Sequence, residues 1–115
     1  MSPLPIVLSI DEAQNLCVLW FDPPMLRRVK QLLRARGAVS RMRFPFQAAA
    51  HWELGSKRLL IDTGLSHFTG GYALEGGADS VELFTEIGKQ LAADAGMELT
   101  VSREVERVTP RHERH

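Results

Sequence analysis

Asp22-Pro23-Pro24-Met25-Leu26-Arg27-Arg28-Val29-Lys30-Gln31-Leu32-Leu33-Arg34-Ala35-Arg36-Gly37, continued by Ala38-Val39-Ser40-Arg41-Met42-Arg43-Phe44-Pro45-Phe46-Gln47-Ala48-Ala49-Ala50-His51-Trp52, is the stretch that decides the fold. Its first half sets Leu26, Val29 and Leu33 at helical spacing, with Met25 and Leu32 flanking them. Its second half alternates with a period of two, so a helix gives way to a strand. Asp22-Pro23 reads as the helix start, a capping carboxylate followed by a proline whose φ is already set. Gly37 reads as its stop, because glycine enters the left-handed region most cheaply. From Arg41 to Trp52 the alternation puts Met42, Phe44, Phe46, Ala48, Ala50 and Trp52 on one side. Pro45 removes one ladder donor, which predicts an edge strand or a bulge at that point.

Upstream, Pro5–Ile10 and Leu16–Phe21 are β-rich runs separated by five polar residues, a hairpin pattern. Downstream, Gly55-Ser56-Lys57 is a turn and Arg58–Asp62 a returning strand, and Tyr72–Glu75 is a short β-like segment in a glycine-rich region. Asp79, with Glu82 three residues on, has capping-box spacing. The helix it opens carries Leu83, Phe84, Ile87, Leu91 and Ala95 as its stripe and stops at Gly96. Met97–Ser102 is the last strand. The order ββα-ββ(β)-αβ predicts an α+β fold in one two-layer domain over residues 1–102. Its sheet should be mostly antiparallel, of about five or six strands, with both helices on one face. Residues 103–115 read as a charged, mobile tail.

At 115 residues and 44% hydrophobic content, the chain is suited to one domain with a real core. Its single cysteine, Cys17, cannot form an intramolecular disulfide and reads as a small buried hydrophobe. No apolar run is long enough to span a bilayer, and the N-terminal residues lack a signal-peptide pattern, so a cytoplasmic location is expected. No cofactor or metal is expected either.

Leu59-Leu60-Ile61-Asp62-Thr63-Gly64-Leu65-Ser66 resembles the active-site loop of retroviral-type aspartic proteases, whose two subunits each supply one Asp. The resemblance covers eight residues and implies a hydrolase built around Asp62, with Ser66 and His67 nearby. The chain around it departs from that nearly all-β family, since a helix precedes the motif and another follows it. Read from the residues alone, Asp62-Thr63-Gly64 is a tight turn at a strand end. Gly70-Gly71 and Gly76-Gly77 lack the pattern of a phosphate loop and read as turn glycines. His112 and His115 at the end of the tail cannot close a tetrahedral metal site by themselves.

Charge is the strongest functional signal. Fourteen basic and fourteen acidic residues cancel, yet they are segregated. Between Asp22 and Glu53 lie Arg27, Arg28, Lys30, Arg34, Arg36, Arg41 and Arg43 with no acid among them. Between Glu75 and Glu98 the acids are Asp79, Glu82, Glu86 and Asp94, against Lys89. Arg27, Lys30 and Arg34 share a helix side away from the apolar stripe, and Arg41 and Arg43 follow on the strand. The planar guanidinium fork suits phosphate oxygens. These five residues therefore form the expected surface, helix 23–36 plus strand 41–47, of a non-enzymatic module binding nucleic acid or another polyanion. The alternative is a protein-interaction module in which segregated basic and acidic faces meet an acidic partner or a second copy as a homodimer.

Overall fold

The structure of the protein, a computed structural model, describes residues 4–43, 49–64 and 71–104. Strand β1 (Ile6–Asp11) turns back into β2 (Leu16–Phe21), as the two apolar runs predict. A 3-10 turn, Pro23–Met25, leads into α1 (Leu26–Ala35). Next come β3 (Val39–Arg43), β4 (Ala49–Leu54), β5 (Lys57–Asp62) and β6 (Tyr72–Gly76). A second 3-10 turn, Ala78–Ser80, opens α2 (Val81–Ala95), and β7 (Leu99–Glu104) closes the described chain. The seven strands form one sheet in the order β3-β4-β5-β6-β2-β1-β7. Every neighbouring pair is antiparallel except β1 with β7, which run parallel.

The α+β domain with a mostly antiparallel sheet is thus as the sequence predicts, with one strand more than expected. The extra strand comes from the 41–52 run, which is not one strand. It divides into β3 and β4, which pair antiparallel with Val39 opposite Glu53 and Arg43 opposite Ala50. Alternation alone cannot reveal such a reversal, because a hairpin preserves the period of two on both arms. The side chains of Met42, Phe44 and Phe46, which the alternation puts on one side with Trp52, lie outside the described residues, as does Pro45. Trp52, 2% exposed, is the large side chain that β4 supplies to the core.

One face of the sheet holds the core. Leu8, Leu19, Leu74, Ile61, Leu59 and Trp52 alternate inward from five strands and meet Val29 and Leu33 of α1 and Phe84, Ile87 and Leu91 of α2. The stripe of α2 is completed by Gly88 and Ala92, whereas Ala95, predicted to belong to it, is exposed. Gly88 is what lets α2 lie close to the sheet. A Cβ there would sit 2.8 Å from Leu99 Cδ1 and 3.1 Å from Leu19 Cδ1. Gly76, read above as a turn glycine, instead ends β6 where a Cβ would come within 2.9 Å of Ser80 Oγ and 3.0 Å of Phe84 Cζ.

Both helices stop as predicted. Gly37 (φ 92°) and Gly96 (φ 69°) are left-handed, and the next amides reach back to the helix, Ala38 N–H to Leu33 O at 3.0 Å and Met97 N–H to Ala92 O at 2.9 Å. Holding Met97 in this closure delays β7, which begins at Leu99 rather than at Met97. Their starts differ from expectation. Asp22 makes no side-chain cap, and its Oδ2 instead accepts the Leu4 N–H at 3.3 Å. No side-chain cap comes from Asp79 either. Asn15, in the β1–β2 turn at φ 55°, accepts the Ala78 N–H on Oδ1 at 2.8 Å.

Candidate functional site

The predicted basic surface is sorted by its neighbours. α1 lies beside α2, and two of its arginines are taken up by that contact. Arg28 Nε donates to Asp94 Oδ2 at 2.8 Å, and Arg36 Nη2 donates to Glu86 Oε1 at 3.2 Å. The Arg28 guanidinium, with a further hydrogen bond from Gln90, holds the Asp94 carboxyl below the usual carboxylate range. The pairing of basic with acidic helix that the sequence suggests between copies is, for these residues, made within one chain.

Arg27, Lys30 and Arg34 are left on the other side of α1. Arg27 and Arg34 are exposed and Lys30 is half-buried. None of the three has an ion pair among the described residues. Arg34 lies over Trp52, its guanidinium carbon 5.3 Å from the ring centroid, a cation–π stack that limits the motion of an otherwise loose side chain. Arg27 and Lys30 line an open groove of about 600 Å³ with Pro23, Pro24 and Leu26 at the start of the helix.

Arg41 stands apart from these three. Trp52 points into the helix layer, so Glu53, the next residue, points to the opposite sheet face. Arg41 Nε donates to Glu53 Oε1 at 3.1 Å and therefore belongs to that second face. It sits where the register slips between Ser40 and Met42, and with His51, Glu53 and Arg58 it lines a hollow of about 280 Å³. Arg43 pairs by backbone with Ala50, and its side chain lies outside the described residues. The structure thus brings Arg27, Lys30 and Arg34 together and places Arg41 across the sheet from them.

The sequence reading missed His51 and Arg58 as neighbours of Arg41, for strand pairing alone makes them so. It also missed the internal partners of Arg28 and Arg36, although a signal was present. Arg28 and Arg36 are eight residues apart, as are Glu86 and Asp94, and the pairs join in reverse order. Matched spacing of opposite charges marks two antiparallel helices, each eight-residue step being about 12 Å of helix.

Asp62, at the end of β5, accepts the Gly64 N–H on Oδ1 at 2.9 Å, the hydrogen bond of a side-chain-stabilised turn. Burial, and secondarily the Asp62 charge, pushes the Glu75 carboxyl up from the usual range. Ser66, His67, Gly70 and the terminal histidines lie outside the described residues. Cys17 is fully buried, and burial pushes its thiol up to about 11, with Arg103 acting weakly against it, so it stays protonated at neutral pH. Among the described residues no group of three His, Cys, Asp or Glu side chains is placed to hold a metal ion, and no helix is long and apolar enough to cross a membrane. Compared with known proteins, the chain matches no family model, no curated protein and no solved structure.

Proposed function

We propose that the protein is a non-enzymatic binding module that takes a polyanion, nucleic acid foremost, on the outward side of α1 through Arg27, Lys30 and Arg34. The observation that carries this reading is the sorting of the helix's bases. An acidic helix lies alongside, yet it neutralises Arg28 and Arg36 and leaves Arg27, Lys30 and Arg34 on the far side with no ion pair among the described residues. Arg34 is steadied on Trp52, so less side-chain freedom is lost when it meets a phosphate. The amide ends at the start of the helix, next to Arg27 and Lys30, add positive potential. Arg41, on the other face, would contribute at most through a ligand that wraps the β3 edge.

With Trp52 2% exposed, base stacking contributes little and sequence preference is weak.

Titration of labelled single-stranded DNA, duplex DNA and RNA at about 50 mM salt tests this. Three phosphate contacts predict a log–log salt slope of roughly −2 on a single strand. Arg27→Glu with Lys30→Glu should abolish binding and leave the unfolding transition in place. Arg34→Glu is the less clean variant, because it also uncovers Trp52. Absence of binding to all three probes at low salt, or binding that survives both reversals, would end the proposal.

A further inference from the structure

The two edges of the sheet are built differently. β3, at one edge, has an irregular register between Ser40 and Met42 and carries the charged Arg41 there. A bulge and a charge are the devices by which an edge strand resists the addition of another strand. β7, at the other edge, runs in unbroken register with β1 from Leu99 to Glu104. It contains neither proline nor bulge, and Thr100-Val101-Ser102 at its middle is uncharged and exposed. Val101 is 52% exposed, and no strand pairs with the outer side of β7 among the described residues. Its outward N–H and C=O groups are a template for one more strand.

We infer that the missing strand is the β7 of a second copy, added antiparallel about a two-fold axis so that two seven-stranded sheets join edge to edge. The middle of the strand is chemically symmetric about Val101, which has a hydroxyl residue on either side, Thr100 and Ser102, and two rungs out Leu99 would face Arg103. Antiparallel pairing centred there sets Val101 against its own counterpart and each Thr100 against the Ser102 of the other copy. Apolar–apolar and hydroxyl–hydroxyl pairs are both favourable across strands, and these three rungs oppose no like charges. Val101 lies on the helix side, since it pairs in register with the buried Leu8. There it lines a groove of about 420 Å³ with Lys89, Ala92, Ala93, Met97 and Leu99. The small side chains of α2 on this flank leave room for the second Val101. The groove's lining also includes Glu98, whereas the helix's acids Glu86 and Asp94 face α1 instead. Two-fold self-complementary contacts of this kind are the commonest route to a soluble oligomer.

Light scattering on the full chain, eluted from a sizing column over a concentration series, reads the oligomer directly. The expected result is a concentration-dependent dimer that Val101→Lys converts to monomer and Val39→Lys leaves intact. Val39, 50% exposed on the opposite edge, is a matched control. Oxidation of Val101→Cys should link two copies through a disulfide, because the two Cα atoms at the axis of such a pair fall within disulfide range. Val39→Cys should link far less. A monomer at every concentration would overturn the inference. So would a dimer that survives Val101→Lys, equal cross-linking at Val39 and Val101, or a dimer lost on deleting residues 105–115 with Val101 intact.

Discussion

The two helices lie side by side on one sheet face, yet they are anchored and charged in different ways. α2 is the closer-packed of the two. Gly88 draws it down onto Leu19 and Leu99, it buries Phe84, Ile87 and Leu91, and its start is held by Asn15 from a distant hairpin. α1 buries Val29, Leu32 and Leu33, and no side chain caps the turn that opens it. Where they touch, acid meets base at Asp94–Arg28 and Glu86–Arg36. The difference teaches that charge segregation along a chain serves two ends at once. Part of the basic set docks one helix on another, and Arg27, Lys30 and Arg34, which have no ion pair among the described residues, are the part that the proposed binding function uses.

The largest effects come from the shared core. Leu91→Ala in α2 and Leu33→Ala in α1 should each cost about 2–5 kcal/mol in urea unfolding, as large-to-small changes at fully buried sites do. If the closer packing of α2 leaves its side the less able to collapse, Leu91→Ala will fall at the upper end and Leu33→Ala at the lower. Equal losses would dissolve that part of the comparison.

The helix starts are the next lever. Asn15→Gly keeps the left-handed backbone and removes the bond to Ala78, so it should cost about 1 kcal/mol. Asn15→Ala adds backbone strain at φ 55° and should cost more than Asn15→Gly. Asp22→Ala should cost less than either at α1, because Asp22 caps no helix amide and its bond to Leu4 is long. An Asp22 effect as large as that of Asn15 would show that α1 depends on its start as much as α2 does.

The smallest effect concerns the ion pair between the helices. Asp94 has a lowered carboxyl pKa in the folded chain, so the folded state binds its proton less readily than the unfolded one. Its stabilising contribution is therefore complete above the ordinary carboxylate range and is lost as pH falls through the depressed folded value. Asp94→Asn should lower the urea midpoint slightly at neutral pH and remove part of the acid-side decline, and Arg28→Gln should do the same. High salt should shrink both differences, because the partners are exposed.

Much of the fold was legible because its signals are local. The apolar spacing of Leu26, Val29 and Leu33 and of Phe84, Ile87 and Leu91, and the glycines at 37 and 96, name the helices and their ends before any contact is known. The candidate site was legible as a set of bases but not as a surface. Spacing on one helix puts Arg27, Lys30 and Arg34 together, whereas Arg41 depends on a bulge and a strand partner that lie beyond any local window.

What the sequence by itself determined, then, are the periods: which residues are helical, which are extended and which side of each element is apolar, because backbone geometry ties these to spacing within a few residues. Tertiary structure alone decided the rest. It decided that the 41–52 run folds back on itself, that Asn15 rather than Asp79 holds the start of α2, and that β7 lies parallel to β1 at the end of the strand order among the described residues. It also decided which arginines are neutralised, for a charge's partner is fixed by distance in space, and the residues that meet Arg28 and Arg36 stand more than forty positions away along the chain.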